Sequence, residues 1–201
     1  MIDTIVFDIG MVMVNFCWEK YLRSFQYSED LYQSIAEAMF LSPQWNEYDR
    51  GELTDQEMLA LFIRNRPEYK KQIKEVFANL GKTIEVYDYT ENWIRRLRAK
   101  GYKVYYLSNF SKRTLVQGEK EMKFHKEMDG GLFSFDIKKI KPEREIYQIF
   151  IEKFNIKPER AVFLDDNRKN LEGAKPFGFH TILFTSKEKA EKELHNLGVE
   201  W

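Results

Sequence analysis

The residues best suited to chemistry fall into four clusters: Asp8, Ser108-Asn109, Lys141-Pro142 and Asp165-Asp166. Each has a structural use as well. Asp8 follows the apolar run TIVF and reads either as a reactive carboxylate or as the cap of the next turn. Ser108-Asn109 follows VYYL, where a helix cap or a turn would use the same residue types. Lys141 by itself reads as a solvated lysine at a helix start. Asp165-Asp166 follows AVFL and points further. Two adjacent carboxylates at a strand end repel each other unless a cation or hydrogen-bond donors compensate, which makes a metal site the better reading there.

The elements that carry these clusters are legible. Thr4 to Phe7, Val104 to Leu107 and Ala161 to Leu164 are short apolar runs, the pattern of strands buried on both faces of a parallel sheet. Thr181 to Phe184 reads as a last strand, and Leu132 to Phe135 is a weaker candidate. Helical patterns separate the runs. Thr90 is placed to cap a helix bearing Trp93, Ile94 and Leu97, with Gly101 as its stop. Pro142 suits a first helical turn, and Ile146, Ile149, Phe150 and Phe154 then make one stripe. Strand and helix in alternation predict an α/β, doubly wound (Rossmann-like) parallel sheet of about five strands. Sites in such sheets lie beyond the carboxyl ends of the strands, where three of the four clusters fall.

From about Phe16 to Tyr87 only helical patterns are found. Leu31, Ile35, Ala38 and Met39 form a stripe, and Thr54 and Glu57 have capping-box spacing. The aromatics Trp18, Tyr21, Phe25, Tyr32, Phe40, Trp45 and Tyr48 read as the core of a small helical bundle rather than a ligand cage. The charged stretch Lys187 to Lys192 reads as a solvated helix.

Composition sets the outer bounds. The 201 residues suit one domain, or one with a modest insertion, and 43% hydrophobic residues suffice for a core. Lys plus Arg and Asp plus Glu both number 32, so no charge excess argues for nucleic acid. Cys17 is the only cysteine, which fits a reducing cytoplasm. The N-terminus lacks the features of a signal peptide, and no apolar run approaches the ~20 residues of a membrane span. A cytoplasmic protein without membrane or nucleic-acid partners is expected. Oligomeric state is not readable.

Taken in order, the four clusters resemble the haloacid dehalogenase superfamily. VFDIGMVMV around Asp8 resembles its first motif, VYYLSNF around Ser108 its second, IKKIKPEREIY around Lys141 its third, and VFLDDNRKNLEGAKPFG around Asp165-Asp166 its fourth. The resemblance implies a core of residues 1–15 and 88–201 with an all-helical cap inserted at 16–87. It implies a Mg²⁺-dependent phosphatase acting on a small phosphorylated molecule. Asp8 would be the nucleophile, forming an aspartyl phosphate. Asp8, Asp166 and the Gly10 carbonyl would hold Mg²⁺, with Asp165 helping directly or through water. Ser108, Asn109 and Lys141 would bind the phosphate, and Asn170 would orient the carboxylates from behind.

One position departs from the pattern. Most phosphatases of the family carry a second aspartate two residues after the nucleophile, as general acid and base; here that residue is Gly10. A cap carboxylate could supply the proton, with Glu47, Asp49 and Glu52 in WNEYDRGE as candidates, although each also suits a solvated helix end. Alternatively the leaving group needs little help, as with the anomeric oxygen of a sugar 1-phosphate. The FD-x-G-x-V form of the first motif is similar to that of a bacterial branch that includes sugar-1-phosphate phosphatases. Two other classes stay open. A 2-haloacid dehalogenase needs no such acid, but that branch lacks the acidic pair. A phosphate-binding regulatory protein without turnover would also tolerate Gly10. Trp45, Tyr48 and Arg50 are candidates for the substrate side of the cap, and His125, His180 and His195 read as structural or surface residues.

Overall fold

A computed structural model of the chain describes residues 1–200. Its strands are β1 (Thr4–Phe7), β2 (Val14–Phe16), β3 (Ile84–Val86), β4 (Lys103–Ser108), β5 (Gly130–Phe133), β6 (Ala161–Asp165) and β7 (His180–Leu183). Five of them form one sheet in the order β5-β4-β1-β6-β7, with every neighbouring pair parallel. The helices are α1 (Trp18–Arg23), α2 (Glu29–Ala38), α3 (Gln44–Arg50), α4 (Asp55–Asn65), α5 (Lys70–Phe77), α6 (Thr90–Ala99), α7 (Lys112–Gln117), α8 (Ser134–Ile137), α9 (Arg144–Phe154), α10 (Arg168–Ala174) and α11 (Lys187–Asn196).

Both faces of the sheet are covered, which is why its central strands are apolar throughout rather than alternating. Ile5, Phe7, Val162 and Leu164 point to one face, under Trp93, Ile94 and Leu97 of α6 and Leu194 of α11. Val6 and Phe163 point to the other, against Ile146, Tyr147 and Phe150 of α9 and Leu171 of α10. This is the doubly wound fold that the alternation of elements predicts.

Helices α1–α5 close on a core of their own, built from Leu22, Ile35, Met58, Phe62, Ile73 and Phe77 among others. Ser28 caps α2, and the Thr54–Glu57 capping box is formed in full at the start of α4. The expectation of helices alone between Phe16 and Tyr87 needs correction. Phe16 ends β2 and Ile84–Val86 is β3, and the two strands pair antiparallel as a ribbon joining the helical layer to the sheet layer.

Several boundaries move for local reasons. Thr90 is the first residue of α6 but not its cap, because its hydroxyl donates to the Met13 carbonyl at 2.6 Å. Pro142 lies before α9 rather than in its first turn. The turn there is closed by the Glu143 N–H on the Ile140 carbonyl at 2.8 Å, and Glu143 is the N-cap. The weak strand runs Gly130–Phe133 instead of Leu132–Phe135, since Ser134 leaves the ladder and its hydroxyl accepts from the Phe110 N–H at 2.9 Å. The charged terminal helix is solvated on one side only; Ala190 and Leu194 are buried.

Candidate active site

The parallel register delivers the polar clusters to one place. Phe7 pairs with Leu164, so Asp8 and Asp165 emerge side by side from β1 and β6. Ser108 ends β4 on the other flank of β1. Chain order reverses about β1, with β4 and β5 on one side and β6 and β7 on the other. This switch point opens a crevice at the carboxyl ends of the strands.

Lys141 comes to the same crevice from the turn before α9. Its ammonium is buried and sits 2.9 Å from Asp8 Oδ1 and 2.7 Å from Asp165 Oδ2. Asn109 fixes this lysine through the backbone: its amide donates to the Lys141 carbonyl at 3.0 Å, and its side-chain oxygen accepts the Lys141 N–H at 2.8 Å. Asn109 therefore spends its side chain on Lys141.

Asp165 is fully enclosed and saturated. Its oxygens accept from Lys141, from the Asn170 amide at 3.0 Å to each oxygen, and from the Asn167 N–H at 2.8 Å. Asn170 is held in turn where its carbonyl accepts the Tyr147 hydroxyl at 2.7 Å. Asp8 is freer, its Oδ1 accepting the Ile9 N–H at 2.7 Å. Carboxylate oxygens of Asp8, Asp165 and Asp166 lie within 4.8 Å of one another.

The electrostatics follow from three acids around one lysine. Burial raises Asp8 and Lys141 lowers it; the neighbouring Asp165 adds to the rise, and the carboxyl stands at about 7. Asp166 is the exposed member, yet loss of water around it and then Asp165 raise it too. Burial works against the Lys141 charge, but Asp165 and Asp8 outweigh it and hold the ammonium above its ordinary value. A cluster carrying more negative groups than a single lysine neutralises is suited to a divalent cation.

Asp8, Gly10, Asn109, Asp166 and Asn170 line a cleft of about 290 Å³. Its outer wall includes Phe16, Trp45, Asn46 and Asp49 from the helical side and Phe110, Ser111 and Thr114 from the sheet side. Of the three cap residues suggested by sequence, Trp45 alone reaches the cleft. Tyr48 packs inward on Phe62 and Phe77 and donates to Asp55 at 3.1 Å. Arg50 turns to Glu143 at 2.7 Å. Asn46, Ser111 and Thr114 were not singled out by sequence. Asn46 adjoins Trp45, and Asp49 lies one helical turn further along α3, so helical periodicity alone groups them.

The candidate cap acids separate. Glu47 is exposed and engaged with Arg50 at 2.9 Å, and Glu52 lines a different groove. Asp49 faces the cleft. Burial, and then the charge of Asp8, push its carboxyl up to about 8, with Lys141 pulling the other way. The histidines lie elsewhere: His125 packs between Tyr106 and Phe133, and His180 contacts the Glu159 carbonyl.

Residues 6–184 match the family model of the haloacid dehalogenase-like hydrolases, and the chain belongs to that family. It is a hydrolase. An (S)-2-haloacid dehalogenase of Burkholderia cepacia is 28% identical over 134 residues, 67% of this chain; the chain spans 58% of that relative's length. The pyrophosphatase PpaX of Bacillus mycoides is 22% identical over 96% of this chain and 89% of its own. Among solved structures, a family enzyme from Bacteroides thetaiotaomicron in complex with magnesium and inorganic phosphate shares the fold. It superposes with a TM-score of 0.72 at 21% identity, covering 93% of this chain and 96% of its own. No described helix is long and apolar enough to cross a membrane.

Proposed function

We propose that the protein is a Mg²⁺-dependent phosphatase that hydrolyses a small phosphate monoester, of the sugar phosphate class, through an aspartyl phosphate on Asp8. One observation carries this reading: the oxygens of Asp8, Asp165 and Asp166 gather within 4.8 Å around a single lysine. That donor set is all oxygen and net anionic, which fits Mg²⁺. Asp8, Asp166 and the Gly10 carbonyl would hold the ion. Asp165, with both oxygens already engaged, mainly fixes Lys141 and Asn170. When bound, Mg²⁺ would neutralise phosphate charge and make phosphorus more electrophilic.

The chain's own groups do the rest. Asp8 attacks phosphorus in line, and the leaving oxygen departs into the cleft. Lys141 holds Asp8 and offers its ammonium to a phosphoryl oxygen as charge builds. Ser108 donates a hydrogen bond to another phosphoryl oxygen, and Asn109 supports both by pinning the Lys141 backbone. Water then attacks the aspartyl phosphate. Residues 16–87 act as a cap that excludes bulk water during these steps. A cleft with Trp45 and Phe16 as apolar walls and Asn46, Ser111 and Thr114 as polar groups suits a small hydroxylated leaving group. The free, buried Cys17 supports a cytoplasmic location.

A second reading has specific support. The Burkholderia relative is named a dehalogenase, and Gly10 is compatible with attack on carbon. Dehalogenase chemistry gives no work to Asp166, however. A release assay with sugar phosphates, nucleotides and 2-haloacids, with Mg²⁺ and with EDTA, separates the readings. The expected result is phosphate release from a monoester, abolished by EDTA. Metal-independent halide release would make the protein a dehalogenase, and Mg²⁺-dependent phosphate binding without turnover would make it a binding protein.

A further inference from the structure

Gly10 leaves no carboxyl beside the nucleophile, and nothing fills the gap from the sheet side. A Cβ built on Gly10 meets no heavy atom within 4 Å, so the space a side chain there would take is open cleft. Asp49 faces that cleft from the end of α3. Among the described residues its carboxylate takes no hydrogen bond and no ion pair, although its helix neighbours Glu47 and Arg50 are both engaged. An unpaired carboxyl in a cleft wall, across from a buried carboxylate, is free to act on a molecule bound between them.

Its position is fixed by the core. The Asp49 carbonyl accepts from the Ser134 hydroxyl, and the Gly51 carbonyl accepts from the Lys138 ammonium. Arg50 reaches Glu143 at 2.7 Å. Glu143 stands two residues after Lys141, so the end of α3 is tied to the same turn that aims the lysine. Three consecutive residues of the helical layer are thus anchored around the one side chain left free.

We propose that Asp49 is the general acid and base of this site, replacing from the helical layer the carboxyl that Gly10 lacks. The proposal rests on the phosphatase reading above. As Asp8 oxygen bonds to phosphorus and the phosphorus–leaving-oxygen bond breaks, the Asp49 proton passes to the leaving oxygen, giving an alcohol and an Asp49 carboxylate. In the second half that carboxylate takes a proton from water as its oxygen bonds to phosphorus. The Asp8–phosphorus bond breaks, inorganic phosphate leaves, and both side chains return to their starting forms. Loss of water around Asp49, and then the charge of Asp8, favour its neutral form before the first step.

The test is kcat/KM with Mg²⁺ for wild type, Asp49→Asn and the double variant Gly10→Asp/Asp49→Asn. The substrates run from p-nitrophenyl phosphate, whose leaving group needs no proton, to alkyl phosphates and sugar phosphates esterified at a primary hydroxyl, whose leaving groups do. Wild type should depend shallowly on leaving-group acidity. Asp49→Asn should lose roughly 10²–10⁴-fold on alkyl phosphates and far less on p-nitrophenyl phosphate. There it should give a burst of one equivalent of nitrophenolate followed by slow turnover, because water then lacks its base. Adding Gly10→Asp to Asp49→Asn should restore at least about tenfold on the alkyl esters. A steep dependence in wild type overturns the assignment without any variant. So does an equal loss on every ester without a burst, or full activity in Asp49→Asn. If wild type releases phosphate from no ester, the phosphatase reading fails as well.

Discussion

Lys141 is the residue on which the site balances. It touches Asp8 and Asp165 together, so one positive charge serves two buried carboxylates. The deficit appears at Asp8, which burial and Asp165 hold at about 7. An unfolded aspartate titrates near about 3.9. Between those values the folded, metal-free protein keeps a proton that the unfolded chain has lost. Stability therefore falls as pH rises through that window. Asp8→Asn removes the charge, so its melting temperature in EDTA should exceed that of wild type by a margin that widens from pH 5 to pH 8. Thermal unfolding across that range checks it, and a margin that narrows would contradict the assignment. Asp8, Ser108 and Asp165-Asp166 were legible as candidates because each follows or ends a short apolar run of the kind a covered parallel strand leaves. The grip of Asn109 on the Lys141 backbone was not, since it joins residues 32 apart that nothing local relates. Asp49 was legible as one of three acids; the direction in which α3 faces separates it from Glu47, and the turn at Gly51 carries Glu52 to another groove.

At the scale of elements, the sheet was readable because covered parallel strands leave continuous apolar runs. The ribbon β2–β3 was missed because a three-residue strand shows no period, and its pairing spans the whole helical layer. Besides that ribbon, the end of α3 couples the two layers. Gly51 closes it with φ +72°, and a Cβ there would stand 2.7 Å from Phe135 Cβ. Gly51→Ala should therefore combine a left-handed backbone penalty of about 1 kcal/mol with a clash that shifts α3 off the sheet layer. The expected outcome is a melting temperature lowered by about 2–4 °C per kcal/mol, together with a fall in kcat as Asp49 moves. Gly198→Ala is the control. Its φ is +80° but a Cβ meets nothing within 4 Å, so it should lose a little stability and no activity. Equal kinetics in the two variants would separate α3 from catalysis.

At the scale of the whole molecule, a helical layer with its own core meets the sheet layer at the cleft that holds Asp8. The sheet layer supplies Asp8, Lys141 and an acidic pair; the helical layer supplies an aromatic wall and the carboxyl of Asp49. The division follows from topology, because loops at one end of a parallel sheet converge while an insertion after β1 folds back over them. Every step proposed for this cleft depends on Asp8 becoming phosphorylated. To detect that, the protein is mixed with Mg²⁺ and a phosphate monoester, quenched with acid during turnover, and its peptides mapped by mass spectrometry. The mass of one phosphoryl group should appear on the peptide containing Asp8, and should be absent with EDTA and in Asp8→Asn. Phosphate release that persists in Asp8→Asn, or a phosphoryl group mapped to another residue, would show that Asp8 is not the nucleophile.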